Sequence, residues 1–523
     1  MFKVRKGRAI PRTLNLEPGT FELTDPSTSK HSMTLSQNQS PPPVRHRWWS
    51  LAVASLATLI VTVDTGQLSI ALPLIIKEFD ADLALASWIA LVYAFITASL
   101  YLPCGRLSDL FGLGKLFLTG FVLYSLSSLA AGLAQSAGQL ICFRALQAAG
   151  SALIMANNFA LITALFPPEE RGRAMGIAGG TISALGYTLG PVLGGLLTHA
   201  FGWRANFYLS AMLALVGFGA ARVLLPRESF HGAAANKEPF DFAGMISFSL
   251  SISLLLFALA LAQKGEWQTP LVGVVPLAAI AALTYFIWWE KRTSYPLLDL
   301  TLFHIPAFTL GNSARLISFI AMSASNLLMP FFLLLAMRLD PLSAGLLVAP
   351  TPLALALLAP LTGWMSEKFV PERLCALGLA VTGVAFVFLS FLRAGAAPIE
   401  IVFGLALLGV GMGIFQTPNN NLLMSSVPRH RLGVGSSVLS IVRSLGYSIG
   451  AALAAAIVSA RLAAVTGQTS LQFLGSEAVR DGNSAVLTAF ISGFHITCLA
   501  AALLCFVGAL LSAVRVSREY QRP

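Results

Sequence analysis

From Trp48 to Val514 the chain alternates long apolar stretches with short polar interruptions. A helix needs about 20 apolar residues to cross roughly 30 Å of hydrocarbon, and stretches of that length recur throughout. Glycine, proline and charged breakers divide them into about fourteen predicted spans, near residues 48–75, 85–104, 116–134, 140–166, 174–198, 204–225, 242–262, 270–289, 308–336, 343–364, 374–393, 399–424, 434–458 and 485–514. Residues 1–47 are polar and basic and end in Pro41-Pro42-Pro43, with no short apolar core and cleavage site before Trp48. They read as a disordered tail, not a secretory signal, and residues 515–523 read as a second tail.

Composition agrees with this pattern. The 523 residues are 56% hydrophobic and 11% charged, whereas a soluble domain carries roughly 25% charged residues. The net charge of +11 does not imply a nucleic-acid partner, because the basic residues fall in short loops between spans. One set of loops holds Arg106 and Lys115, Arg171 and Arg173, Arg222, Arg227 and Lys237, Lys291 and Arg292, Lys368 and Arg373, and Arg429 and Arg431. Cytoplasmic loops carry such an excess, so both termini are expected in the cytoplasm of a bacterial inner-membrane protein. None of the five cysteines has metal-ligand spacing, so neither metal nor cofactor is expected.

The sequence repeats itself. Leu185-Gly186-Tyr187-Thr188-Leu189-Gly190 returns as Leu445-Gly446-Tyr447-Ser448-Ile449-Gly450, an offset of 260. Pro168-Glu169-Glu170-Arg171 returns as Pro428-Arg429-His430-Arg431 at the same offset, and Gly105-Arg106-Leu107-Ser108-Asp109-Leu110-Phe111 returns as Gly363-Trp364-Met365-Ser366-Glu367-Lys368-Phe369 at 258. Such a duplication predicts two halves that tilt about a site between them. The expected halves are 48–225 and 301–514, with spans 7 and 8 in a linker over 226–300.

Several residues can carry chemistry. Asp64 is the carboxylate placed well inside a span, at about the depth of Arg144, and an intramembrane ion is a functional candidate. Asp64 can take up a proton on one side and release it on the other, or it can form a static pair with Arg144. In the loop Gly105–Lys115, glycines 105 and 112 permit a tight turn, and Asp109 with Lys115 can form a latch. The fifth span holds Gly186, Gly190, Pro191, Gly194 and Gly195, small residues that bare one helix face beside a proline that bends it. Arg315 and Arg443 interrupt apolar stretches and can face substrate or snorkel. Gln416 and Asn420, in the run Gln416-Thr417-Pro418-Asn419-Asn420-Asn421, suit a cavity or helix–helix hydrogen bonding. Trp88, Tyr93 and Phe331 can line such a cavity or fill the core, and His495 reads as a hydrogen-bonded core residue.

These segments resemble the Major Facilitator Superfamily, and within it the fourteen-span drug:proton antiporters. Gly105–Lys115 resembles its signature loop, Arg144–Gly150 its fourth-span arginine motif, and Gly186–Gly195 its antiporter motif. Asp64-Thr65 followed by Ala71-Leu72-Pro73 resembles the first-span motif of that branch, and Trp88 and Tyr93 its second-span pattern. Departures are Leu110 and Leu113 where the loop usually has basic residues, Ser69 for the usual asparagine, and Glu367 and Val370 in the second-half loop. The resemblance implies an all-α membrane protein of two six-helix repeats plus two central helices. It also implies export of lipophilic or amphipathic small molecules driven by a proton gradient, by a monomer in the bilayer, with a periplasmic adaptor left open. A proton symporter importing a small organic solute is the alternative. A membrane sensor or embedded enzyme is disfavoured, because no loop is long enough for a signalling domain and no His, Asp or Ser cluster marks a membrane face.

Overall fold

The computed structural model describes residues 44–80, 83–230, 239–264, 270–466 and 484–513. The expected tail 515–523 and most of the tail 1–47 lie outside them. Fourteen described helices are long and apolar enough to cross a membrane, and no strand occurs among the described residues. We label them α1 (Val44–Phe79), α2 (Leu83–Phe111), α3 (Leu113–Gly132), α4 (Ala137–Leu165), α5 (Pro168–Phe201) and α6 (Arg204–Leu224). Next come α7 (Phe242–Lys264) and α8 (Leu271–Glu290). The rest are α9 (Pro306–Ala336) and α10 (Ser343–Lys368), α11 (Pro371–Leu389), α12 (Pro398–Ser426), α13 (Leu432–Thr466) and α14 (Ser484–Ala513).

Helix boundaries follow local chemistry. Gly112, at φ 104°, supplies the turn between α2 and α3. Ser136 caps α4 by accepting from the Gln139 N–H, and prolines start α5, α9, α11 and α12. Two expectations change here. Helix α1 begins at Val44 rather than 48, and the tail ascribed to 1–47 gives up Arg47, which is buried and pairs with Glu170 at 3.0 Å. The loop expected over Gly105–Lys115 is helical to Phe111, so Gly105 is not a turn glycine.

Helices in lipid gain little from burying apolar surface on one another, so close packing and polar contacts must join them. The glycines of α5 show this. A Cβ on Gly186 would stand 1.8 Å from Thr62 Oγ1, one on Gly190 2.7 Å from the Val63 carbonyl, and one on Gly194 2.8 Å from Gln67 Cα. All three therefore face α1. The duplicated glycines do the same in the second half, where Gly446 and Gly450 lie against Phe319 and Ile320 of α9. Helix α5 runs on through Pro191, whose ring rests on Gly66. These glycines thus pack α5 within its own half and not against the opposite one. Gly195 is not in the stripe, because its nearest neighbour would be 4.0 Å away.

Helix α7 lies against both α2 and α13. Ser249 Oγ donates to the Ser99 carbonyl of α2, and Gln263 Nε2 donates to the Ser448 carbonyl of α13. Of the two extra helices, α7 therefore docks along the seam between the halves and α8 packs on α7.

At the far end of α1, Arg204 and Trp203 donate to Glu78 and hold its carboxyl below the usual carboxylate range. A depressed folded-state value means the contribution is complete above roughly pH 4.5 and is lost as pH falls through the lower value. Glu78→Gln should flatten the acid limb of the stability profile below that pH. An unchanged limb would remove this pair from the stability balance. A second prediction concerns α5: Gly190→Ala should destabilise the protein by about 1–3 kcal/mol through overpacking, whereas Gly195→Ala should be near neutral. Thermal unfolding of the detergent-solubilised variants checks the difference.

Candidate functional site

Asp64 of α1 and Arg144 of α4 are both buried, at 3% and 2% exposure, and pair at 2.8 Å. Gln147, one helical turn from Arg144, accepts from Arg144 Nη1 at 2.5 Å and donates to Asp64 Oδ1 at 3.2 Å and to Ser128 Oγ at 2.8 Å. Ser210 of α6 donates to Asp64 Oδ1 at 3.3 Å. The Tyr93 ring lies under the guanidinium, 4.2 Å from its carbon. Tyr93 therefore belongs to this cluster, and the cavity wall foreseen for it does not form there. A pocket of ≈ 10 Å³, room for about one water, lined by Asp64, Gln67, Asn206 and Phe207 lies beside the carboxylate. Removing one partner of a buried pair typically costs about 3–5 kcal/mol. Gln147 could have been found from its i+3 spacing to Arg144. Ser128 and Ser210 carried no such signal.

At the end of the molecule bearing the basic loops, the halves meet backbone to backbone. A Cβ on Gly105 would stand 2.4 Å from the Gly433 carbonyl, and one on Gly363 2.4 Å from the Gly172 carbonyl. Gly105 and Gly363 are counterparts in the sequence repeat, whereas Gly172 and Gly433 lie one residue out of the 260 register. Buried Asp109 accepts from the backbone N–H groups of Gly433 and Val434 at 2.7 and 3.0 Å, at the first turn of α13. Its repeat counterpart Glu367 accepts from the Arg173 N–H at 2.8 Å in the first turns of α5. Asp109 thus meets amides of a helix's first turn and the positive end of its dipole, while Glu367 meets one amide in the second turn of α5. The latch expected between Asp109 and Lys115 is not formed. Lys115 is exposed, because the helix that carries Asp109 aims its carboxylate across the interface instead. Farther along α5, Gly176 and Gly180 lie against Ala359 of α10, and Thr181 donates to the Ala356 carbonyl at 2.7 Å. Gly172, Gly176 and Gly180, absent from the candidates drawn from sequence, make the contact between halves.

Nearer the middle, buried Arg315 of α9 donates from Nε to the Leu439 carbonyl at 3.0 Å and from Nη1 to Asn420 Oδ1, beneath Phe319. Arg443 of α13 is half-buried and bonds to the Tyr101 hydroxyl of α2. Gln416 is half-buried on α12. Trp88 instead stacks on Phe257 of α7, with ring centroids 6.0 Å apart, and Phe331 packs on the core of the second half. Neither joins the arginines. His495 bonds to the Leu392 carbonyl at 2.6 Å.

Comparison with known proteins places this architecture in a family. The Major Facilitator Superfamily model matches residues 54–451, and the chain belongs to that superfamily. It is 27% identical over 404 residues to the riboflavin transporter RibZ of Clostridioides difficile, covering 77% of this chain and 86% of that one. It is 30% identical to the multidrug resistance protein Stp of Mycobacterium tuberculosis H37Rv, covering 76% and 73%. The probable actinorhodin transporter of Streptomyces coelicolor is 30% identical over 464 residues, covering 86% and 77%. The crystal structure of the human organic anion transporter MFSD10 (TETRAN) superposes with TM-score 0.57 at 13% identity, covering 90% of this chain and 100% of that chain, which shows a shared fold. The protein is a multi-pass membrane transporter and not an enzyme.

Asp109→Ala leaves two buried amides unmet, at about 1–3 kcal/mol, and should loosen this end. In a Ser437→Cys background, whose position is buried against Gly105, maleimide labelling should rise several-fold. Equal labelling with and without Asp109 would show that the carboxylate does not hold the contact.

Proposed function

We propose that the protein is a proton-coupled antiporter that exports lipophilic or amphipathic small molecules from a bacterial cytoplasm, with both termini inside. The observation that carries this reading is the Asp64–Arg144–Gln147 cluster. It holds the described carboxylate that lies deep in a span, buried between α1, α4 and α6 with a water-sized pocket at its side. Charge neutralisation of Asp64 weakens the tie between α1 and α4, and α1 is the helix on which α5 is seated by its glycines. Through α5, the state of the carboxylate reaches the contact between halves at Gly172, Gly176 and Gly180. The paired ends Asp109–Gly433 and Glu367–Arg173 close the basic-loop side, so this conformation suits proton entry from the opposite side. Drug and pigment transporters among the relatives support export, and extrusion of toxic compounds, antibiotics included, is its expected consequence. The lipid bilayer is its surroundings, a periplasmic adaptor is left open, and a monomer suffices because both halves lie in one chain.

Asp64→Asn keeps the shape and the hydrogen bonds to Gln147 and Ser210 but removes the titrating charge. In inside-out membrane vesicles it should lower ΔpH-driven substrate accumulation at least 100-fold while membrane insertion stays normal. Wild-type rates in that variant would refute the assignment. Gene deletion separates export from import, since loss of an exporter raises the cell content of its substrate.

A further inference from the structure

Two guanidinium groups stand at the seam between the halves: Arg315 donates to the Leu439 carbonyl, one helical turn from Arg443 on α13, and no described carboxylate pairs with either. At 1.5 Å per residue, Arg315 lies roughly 14 Å from the start of α9 and Arg443 roughly 17 Å from the start of α13, both near the middle of a ~30 Å core. Their positive charges repel each other. Every hydrogen-bond partner recorded for them is neutral: Asn420, the Leu439 carbonyl and the Tyr101 hydroxyl. These satisfy N–H groups without cancelling charge. Asp64 pairs with Arg144, so the carboxylate deep in a span is committed elsewhere. Uncompensated charge in hydrocarbon is expensive, and two like charges together are more so.

The surroundings indicate what would compensate them. Tyr101 from α2 and Tyr187 from α5 reach Arg443 from the first half. Tyr447 from α13 lies near both arginines, with the Phe319 ring 5.2 Å from its own. Arg443 is partly accessible and Tyr187 is 45% exposed, so this edge of the cluster is reachable. Guanidinium beside aromatic faces and phenol hydroxyls is the recognition chemistry of an aromatic ring bearing a carboxylate, sulfonate or phosphate. The repeat adds a direction. Arg443 occupies the position equivalent to Ser183, so the charge belongs to the second half, whereas the proton site belongs to the first.

We infer that the transported compound is an organic anion with an aromatic part, its acidic group held by Arg443 and Arg315 and its ring by the tyrosines of both halves. The inference rests on the export reading above and names the substrate class. Exporting an anion while a proton enters moves positive charge inward twice over, so a membrane potential negative inside drives both steps.

The test uses a pair of probes with one ring and opposite charge, 2-naphthalenesulfonate and 2-naphthyltrimethylammonium. They are titrated by calorimetry into the full chain in phosphatidylcholine nanodiscs at pH 7 without a gradient. The sulfonate should bind at least tenfold more tightly than the ammonium. Arg443→Gln should lose that tenfold preference, Arg443→Lys should recover part of it, and Tyr101→Phe, which removes one hydroxyl, should cost about threefold. Equal affinities, preference for the ammonium, binding of neither probe, or an unchanged preference in a monodisperse Arg443→Gln protein would overturn the inference. Binding is read without proton flow, so the two ideas fail separately. Sulfonate binding with full proton-driven transport by Asp64→Asn would remove the coupling and leave the anion site. Preference for the ammonium with transport abolished in Asp64→Asn would do the reverse.

Discussion

The whole molecule depends on how a polypeptide handles charge where no water is available to solvate it. Each ion drawn into the helical body must find an opposite charge, a ring face or a row of amide dipoles. Asp64 finds Arg144, Gln147 and Ser210, Asp109 finds the first amides of α13, and Glu367 finds one at the head of α5. Each solution ties together elements that the chain keeps far apart, so each also couples their movement. Arg315 and Arg443 have only neutral partners among the described contacts, and they lie deep along their helices rather than at a helix end.

Glycine carries the second half of the mechanics. Lipid offers helices no hydrophobic reason to associate, so contacts form where backbones approach closely. Gly186, Gly190 and Gly194 seat α5 on α1, while Gly172 and Gly176 on the same helix seat it against α10. Helix α5 therefore joins α1, which carries Asp64, to the interface between halves, and a π-helical turn over Gly176–Thr181 marks the crossing. Such turns adjust the register of a helix locally. Here the turn separates the stretch packed within the half from the stretch packed across it.

Comparison of particular residues shows where sequence reasoning reached and where it stopped. The pairing of Asp64 with Arg144 could be foreseen, because both are ions placed at one depth in neighbouring crossings. The partner of Asp109 could not. Lys115 is six residues away and opposite in charge, whereas Gly433 is a featureless glycine 324 positions on. Its attraction for a carboxylate comes from being at the first turn of a helix. Trp88 and Phe331 went to helix–helix contacts rather than to a cavity, since an aromatic side chain serves either role and only the direction of its helix face decides.

By itself the sequence determined the fourteen crossings, the duplication and the inventory of ions, because crossing hydrocarbon imposes a run of apolar residues that composition reveals locally. It also marked α5 as a packing helix, through glycines four apart. Only the tertiary structure decided what those glycines face, what Asp109 caps and which arginines lack a counter-charge. These are relations between segments more than a hundred residues apart, set by how helices rotate about their axes, and no local pattern encodes that rotation.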